Sequence, residues 1–222
     1  MIPDKLKKLF SLNIVKTLYV NFYYFPFKTA LKFPIFIYGN VKLSQIAGKI
    51  TVNTPVRSGL LTIGKQNIGT LDHKHVRSIW EVRGEVILDR KVSLGSGSRI
   101  SVASDAVLRF GDNFSISGNS SLVCQKDISF GNDCLLSWDI LIMDSDFHKI
   151  LNMQGETVNA PSPIRIGNHV WIGCRSTILK GVQVADHSVI AAGAVITKTL
   201  PYTHSIYGGN NLKLKSDIDW KG

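Results

Sequence analysis

The sequence predicts an all-β protein, a solenoid of short parallel strands, from three observations. Between residues 166 and 201 an aliphatic side chain recurs at every sixth position, and Gly or Ala follows it in four of the six blocks. The period of six matches neither an α-helix nor a strand, so it marks a structural repeat. The length of 222 residues suits one such body with a sizeable core. The recurring residues are Ile166, Ile172, Ile178, Val184, Ile190 and Ile196.

Each block reads as a short extended segment followed by a bend, where Gly, Asn and Asp tolerate unusual backbone angles. Three blocks close one triangular coil, and successive coils pair as parallel strands about 4.8 Å apart. The stretch resembles the hexapeptide-repeat acyltransferases, and VWIG at 170–173 followed by ITKTLP at 196–201 resembles their sugar O-acetyltransferase branch. The resemblance implies a left-handed parallel β-helix (a hexapeptide-repeat solenoid), an acetyl-CoA donor, and a homotrimer with the donor groove between subunits.

The first 35 residues predict a helical segment that is both basic and aromatic. Residues 1–50 hold eight lysines against one acid, so +7 of the net charge of +10 lies there. Apolar residues between positions 6 and 18 have helical spacing, and an aromatic cluster follows at 19–27. Two roles stay open, an apolar face that caps the solenoid or contact with an anionic membrane surface. No nucleic-acid module is visible, so no nucleic-acid partner is expected. The helically spaced residues are Leu6, Leu9, Phe10, Ile14 and Leu18.

Residues 36–207 form the predicted β-helix domain, and residues 208–222 form a C-terminal tail. The first strands are expected over 36–52, one repeat block over 60–69, and a projecting loop over 71–80. His73 and His75 in that loop lack an evident third metal ligand, so surface histidines or acceptor contacts are the alternatives. Blocks resume at Val86, and two extra residues shift the register before Phe130.

A second loop interrupts the repeat between Ile142 and Ile166. Residues 148–163 contain no repeat, so the chain must leave the coil and return as a projecting active-site loop. His148 lies at its root, where the family has a histidine that takes the proton from an acceptor hydroxyl. The resemblance therefore implies that His148 is the general base, and imidazole suits this role because it titrates near neutral pH. The alternative is a loop histidine paired with an acid for stability.

A carboxylate beside His148 could fix its tautomer and stabilise the imidazolium. Asp146 and Asp144 are the candidates, and Asp139 is a third. The sequence does not decide among them. The segment DSDFH at 144–148 could suggest a divalent-metal site, but acyl transfer needs no Lewis acid, so no metal is expected.

The resemblance also implies residues that bind the donor and the acceptor. Trp171 is as suitable for packing as for a wall of the cofactor site. The ending YGGNNLKLK departs from the family's frequent AGNPAK, which puts the phosphate contacts in question. The implied cofactor-binding residues are Trp171, Cys174, Ala192, Thr197, Lys198, Lys213 and Lys215. The acceptor contacts are Lys126, Trp138 and Asp139.

The predicted function is acetyl-CoA-dependent O-acetylation of a sugar or surface polysaccharide precursor by direct transfer. N-acetylation of an amino sugar and a non-catalytic scaffold at the membrane surface are the alternatives. A γ-class carbonic anhydrase is disfavoured because the chain lacks the HxxxxH pair of its zinc site. Three cysteines and the lack of an 18-residue apolar run favour a cytoplasmic protein, with peripheral membrane contact as an option. His169 and His187 are expected to stack outward and solvated.

Overall fold

The computed structural model describes residues 11–65, 68–73 and 75–221, which form a prism of three sheets. Two helices precede the prism, α1 (Ile14–Tyr24) and α2 (Phe27–Ala30). The strands are β1 (Ile35–Ile37), β2 (Val41–Gln45), β3 (Lys49–Val52), β4 (Leu61–Ile63), β5 (Ser78–Val82), β6 (Glu85–Leu88), β7 (Val92–Leu94), β8 (Arg99–Val102), β9 (Val107–Phe110), β10 (Phe114–Gly118), β11 (Ser121–Cys124), β12 (Asp127–Phe130), β13 (Leu135–Trp138), β14 (Leu141–Met143), β15 (Ile164–Ile166), β16 (Trp171–Ile172), β17 (Thr177–Leu179), β18 (Gln183–Val184), β19 (Val189–Ile190), β20 (Val195–Ile196), β21 (Ile206–Gly208) and β22 (Leu212–Lys215).

Consecutive strands lie in different sheets, which is the topology of a parallel β-helix. The first sheet has the order β1-β4-β7-β10-β13-β16-β19-β21-β22, the second β2-β5-β8-β11-β14-β17-β20, and the third β3-β6-β9-β12-β15-β18. We call the turns from the first to the second sheet the 1–2 corner, and name the 2–3 and 3–1 corners likewise. Among the described strands only β22 runs antiparallel to its neighbour, β21.

The repeat residues fill the interior, as the six-residue period predicts. Each of the six is at most 4% exposed. Ile172 pairs with Ile190, 18 positions later, whereas Leu94 pairs with Ile116, 22 positions later. The early coils are therefore longer than 18 residues. Complete burial of one such side chain contributes about 1.5–3 kcal/mol, so the aliphatic columns hold the coils together.

Gly173 shows why a small residue follows the inward aliphatic residue. A Cβ at this position would lie 2.6 Å from the Ala192 backbone nitrogen in the next coil. No side chain fits at that distance without moving the stacked backbone, so close stacking requires the glycine of the VWIG motif.

Helix α1 covers the open edge of β1 and so acts as the predicted cap. The Thr17 hydroxyl accepts from the Ile37 N–H (3.1 Å), and the Asn21 side chain bonds both backbone groups of Ile35 (2.7 and 3.0 Å). These buried polar groups satisfy a strand edge that would otherwise lack partners. The inward face is mixed, because Val20 packs in the core beside these polar side chains. Ile14 and Leu18, which the helical spacing assigned to an apolar capping face, are instead exposed. Helix residues expected before residue 11 lie outside the described residues.

The outward face of α1 is apolar. Phe22 is 42% exposed and Phe27, at the start of α2, is 68% exposed. Within the described residues no helix is long and apolar enough to cross a membrane. The other exposed large residues of the two helices and the turn after them are Ile14, Val15, Leu18, Tyr19, Tyr23 and Leu31.

The two predicted loops differ from expectation in their bounds. The first spans 64–77, because Ser78 and Trp80 belong to β5, where both side chains are buried. Trp80 donates its Nε1–H to the Tyr24 hydroxyl (3.0 Å), which ties the strand to the cap. The second loop spans 144–163, between β14 and β15. A short bridge between Leu151 and Thr157 makes its middle a small hairpin.

Candidate active site

The 2–3 corner collects several predicted site residues from successive coils. Lys126 follows β11, Asp144 and His148 follow β14, and Thr197 and Lys198 follow β20. Lys180, which the sequence reading did not single out, follows β17 in the same column. The parallel register of β11, β14, β17 and β20 places these turns one above another.

Asp144 is fully buried, and its carboxylate is directed into the preceding coil. Oδ1 accepts from the Gln125 N–H (2.7 Å), and Oδ2 accepts from the N–H groups of Lys126 and Asp127 (2.8 Å each). Three backbone donors around one carboxylate form a strong, charge-assisted anchor. Asp144 therefore secures the root of the loop, which corrects the expectation that it orients His148.

Asp146 is held by a second set of contacts. Its Oδ2 accepts from Lys180 Nζ through a very short contact and from Asn159 Nδ2 (2.9 Å). The bonds from Lys180 and Asn159 hold the pKa of the Asp146 carboxyl below its ordinary value. Lys180 Nζ also donates to the Asn159 carbonyl oxygen (2.8 Å). One lysine thus ties both ends of the loop to the next coil.

His148 is exposed at the turn that these contacts fix. Its backbone N–H donates to the Asp146 carbonyl oxygen (2.7 Å), and its own carbonyl accepts from Asn159 Nδ2 (2.8 Å). Within the described residues no group forms a hydrogen bond with the imidazole, so the backbone is fixed while the ring stays available. Asp139 does not orient it either, because Asp139 lies at the 1–2 corner and accepts from Asn119 (2.6 Å).

The rest of the loop presents apolar side chains to solvent. Met153 is 97% exposed at the tip of the hairpin. Four more large apolar residues of the loop are also exposed, Phe147, Ile150, Leu151 and Val158.

The predicted donor residues at the 1–2 corner do not lie beside His148. Cys174 and Ala192 stack as the 18-residue spacing predicts, with the Gly193 N–H donating to the Cys174 carbonyl (2.8 Å). Trp138 lies at the same corner, and its carbonyl accepts from the Arg175 N–H (3.0 Å). The second sheet separates this corner from the 2–3 corner. The predicted site residues of one chain therefore fall into two groups, and Lys126, whose Nζ donates to the Pro161 carbonyl (3.3 Å), is in the group of His148.

Thr197 and Lys198 lie on the His148 side, but their backbone donors are occupied. The Asn211 side chain accepts from both N–H groups (2.7 and 3.1 Å), and its own Nδ2 donates to the Thr197 hydroxyl (2.9 Å). Only their side chains and carbonyls are available to a ligand. Lys213 and Lys215 are exposed on β22, and Lys213 Nζ lies 4.3 Å from the Tyr202 ring centre.

Sequence reasoning missed Lys180, Asn159 and Asn211. Each acts across a long sequence separation, and an isolated amide or lysine in a turn gives no periodic signal. The only available signal was positional, since Lys180 lies two residues after the inward Ile178, as Lys198 lies two residues after the inward Ile196.

Two further predictions fall elsewhere. Trp171 begins β16 at the 3–1 corner and donates to the Ser137 hydroxyl (3.1 Å), so it packs on the first sheet. His73 lines a cavity of about 950 Å³ on the outer face of β4, β7 and β10, whose wall is rich in hydroxyl groups and does not include His148. An acceptor contact there stays a prediction.

Two of the three cysteines are buried in the solenoid. Cys124 and Cys134 are buried, and burial raises the pKa of both thiols, that of Cys134 to about 12. Cys174 is half-buried at the 1–2 corner. The buried pair therefore packs as small apolar residues.

The comparisons with known proteins place this geometry in a class. Residues 163–198 match the family model of the bacterial transferase hexapeptide (six repeats). The chain is similar to a galactoside O-acetyltransferase of Escherichia coli (strain K12), with 28% identity over 62% of this chain and 70% of that protein. It is also similar to a polysialic acid O-acetyltransferase of Neisseria meningitidis, with 36% identity over 36% of this chain and 39% of that protein.

Two solved structures share the fold. The polySia-specific acetyltransferase NeuO has a TM-score of 0.53 at 19% identity, covering 85% of this chain and 79% of that chain. The polysialic acid O-acetyltransferase OatWY has a TM-score of 0.53 at 22% identity, covering 83% and 88%. The molecule is thus a left-handed β-helix of hexapeptide repeats, and the second of its two loops bears His148. The repeat and the similarity to these O-acetyltransferases confirm the resemblance to the hexapeptide-repeat acyltransferases.

Proposed function

We propose that this protein transfers an acetyl group from acetyl-CoA to a hydroxyl of a sugar or polysaccharide. The imidazole of His148 takes the hydroxyl proton as the oxygen attacks the thioester carbonyl. The tetrahedral intermediate then expels the sulfur, and the imidazolium returns its proton to the leaving CoA thiolate. The single observation that supports this role is the position of His148, an unengaged ring on a backbone that Asp146 and Asn159 hold. The names of the relatives support the choice of a sugar hydroxyl.

The donor fits the two small-residue turns at the 1–2 corner. Ala192 is exposed, and a Cβ at Gly193 (φ 73°) would meet no atom within 4 Å, so the backbone there is open to a pantetheine arm. Lys213 and Lys215 are exposed cations that suit the phosphates of the nucleotide. Lys198 is exposed on the His148 side, so it would contact the donor of a neighbouring copy.

The first test is His148→Ala in a thiol-release assay with a panel of sugars. Turnover falls about 10² to 10⁴-fold, the usual contribution of a positioned general base, while donor binding measured by calorimetry is kept. An unchanged rate removes His148 from the mechanism. Acyl transfer to amino sugars but not to their hydroxy analogues would favour the N-acetyltransferase alternative.

The active site is completed by a second copy of the chain in a homotrimer. The two groups of predicted site residues lie on different corners of one prism, and the apolar loop projects away from its own coil. Both features suit a groove in which the loop of one copy reaches the 1–2 corner of the next.

Complementation distinguishes this arrangement from a site within one chain. His148→Ala disables the loop, and Ala192→Trp obstructs the 1–2 corner, so each variant alone is inactive. When the two are co-expressed in equal amounts and purified through two different tags, only mixed trimers remain, and one of the three loop–corner pairs in each is intact. Activity of the mixture that stays at the level of its parents contradicts a shared site.

The apolar face of α1 and α2 contacts an anionic membrane from the inner side of the cell. Exposed aromatic residues that include Phe22 and Phe27 lie beside the exposed cations Lys28 and Lys32. This combination is typical of a helix at a lipid interface. Thr17 and Asn21 bind the edge of β1 from the inward face of α1, and this leaves the apolar face available for contact with the membrane.

A further inference from the structure

Three histidines form a column at the 3–1 corner, away from His148. The ring centres of His169 and His187 lie 5.2 Å apart, and those of His187 and His204 lie 4.5 Å apart and nearly parallel. All three have left-handed backbones, with φ of 53°, 57° and 49°, as do Asn113 and Asp133 in earlier turns of this corner. Asn, Asp and His tolerate this conformation better than most residues, so the turn itself accepts imidazoles.

The C-terminal tail folds back over this column. Ile218 exchanges two hydrogen bonds with His204, from its N–H to the His204 carbonyl (3.0 Å) and between its carbonyl and Nδ1 (3.1 Å). Trp220 stacks on His169 with ring centres 4.4 Å apart and donates its Nε1–H to the His169 carbonyl (2.9 Å). The His169 side chain is therefore only 27% exposed, which corrects the expectation of a fully solvated pair.

The folded tail brings a carboxylate to the imidazoles. His169 Nε2 lies 3.2 Å from Asp219 Oδ1, and one ring nitrogen of His187 lies within 4.8 Å of these ligand atoms. The Nδ1 atom of His187 is buried, and within the described residues it has no hydrogen-bond partner. We propose that His169, His187 and Asp219 form a binding site for a divalent transition-metal ion, with zinc the best match.

The choice of zinc follows from the ligand atoms that the three side chains provide. Two imidazole nitrogens and a carboxylate oxygen, with water as the fourth ligand, are a tetrahedral set that zinc accepts, whereas calcium and magnesium prefer oxygen ligands. Zinc-bound atoms lie about 3.3 Å apart, so the pair of His169 and Asp219 already fits. The His187 nitrogen lies within 4.8 Å of both atoms, so it has to move inward by at most about 1.5 Å.

Metal binding requires a change of tautomer at His169. Its Nε2 lies 3.1 Å from the Trp220 carbonyl as well as near Asp219, so in the metal-free protein the Nε2–H donates to these oxygens. Coordination needs the lone pair of Nε2, so the imidazole binds the ion as the Nδ1–H tautomer and remains neutral. The bound ion then joins the tail to two coils and closes the C-terminal end of the solenoid, an end that repeat proteins must cap.

The test is calorimetric titration of zinc chloride into the full-length, EDTA-treated protein at pH 7.5. We expect one ion per chain, and Asp219→Asn and His187→Ala each weaken binding at least about 100-fold, since even an outer-shell partner contributes 10–100-fold. His75→Ala is the matched control, because His75 also pairs with an aspartate, Asp72 (2.7 Å), yet lies outside the column. The His75→Ala variant binds zinc with the same affinity and stoichiometry as the unmodified chain. Lack of binding, or equal binding in all variants, overturns the proposal.

Two further measurements guard against misfolding and adventitious thiol ligands. Asp219 is 60% exposed, so Asp219→Asn keeps the fold, and its melting temperature no longer rises with zinc as that of the unmodified chain does. Cobalt in place of zinc gives a spectrum without a sulfur-to-metal band. A strong sulfur band, or a zinc-dependent rise in the melting temperature of Asp219→Asn, overturns the proposal.

Discussion

Replacement of Asp144 by alanine tests whether this carboxylate anchors the loop or takes part in the reaction. The substitution leaves three backbone N–H groups without an acceptor at a fully buried position. A hydrogen bond to a charged group contributes about 1.5–3 kcal/mol, and because the three share one carboxylate and water can enter the space, the total is about 3–4 kcal/mol rather than the sum. The free energy of unfolding is measured by urea titration at one protein concentration, since assembly contributes to stability.

Asp105→Ala is the matched control. Asp105 lies at the same 2–3 corner in an earlier coil and is exposed, so its loss changes stability by less than about 0.5 kcal/mol. Asp144→Asn keeps an acceptor oxygen but turns a donor toward the amides, and its effect lies between the two. If Asp144→Ala unfolds like the unmodified chain while turnover falls 100-fold, the anchoring role is refuted and a catalytic one replaces it.

Three other predictions concern the loop and the helix. Because the pKa of Asp146 is lowered, its ion pair with Lys180 is fully formed above the ordinary aspartate pKa of about 4 and is lost as the pH falls through the lowered pKa. Protease cleavage of the loop therefore rises only in acid below that ordinary pKa. Lys180→Ala misplaces His148, so turnover falls about 10 to 100-fold while donor binding is unchanged. The same variant begins to be cleaved in the loop at a higher pH than the unmodified chain. Equal turnover and an equal cleavage profile would contradict the positioning role. The double variant Phe22→Asp, Phe27→Asp binds anionic vesicles at least tenfold more weakly in a sedimentation assay, while its stability is unchanged. If the unmodified chain does not bind vesicles and the double variant loses the oligomer, the face contacts another copy of the chain instead.

The repeat made the body of the fold predictable, because one inward residue in six records burial directly. Ile166 and Ile190 pointed inward as the period required. The orientation of α1 was not predictable, since Thr17 and Asn21 look like ordinary polar residues until the open edge of β1 is beside them. The same holds for Asp144, whose three donors belong to a turn 17–19 residues earlier. Contacts that join non-repeat segments to the coils leave no periodic trace.

The loop can leave the prism without breaking it because the strands on both sides keep their places. The second sheet continues from β14 to β17 and the third from β12 to β15, so no column is interrupted where the chain departs. Stability at this point then depends on how the two ends of the loop are held, and a charged side chain makes the contact in both cases. Asp144 binds the coil before the loop, and Lys180 binds from the coil after it. His148 sits between these two anchors, so the interruption of the repeat provides a rigid site without loss of core.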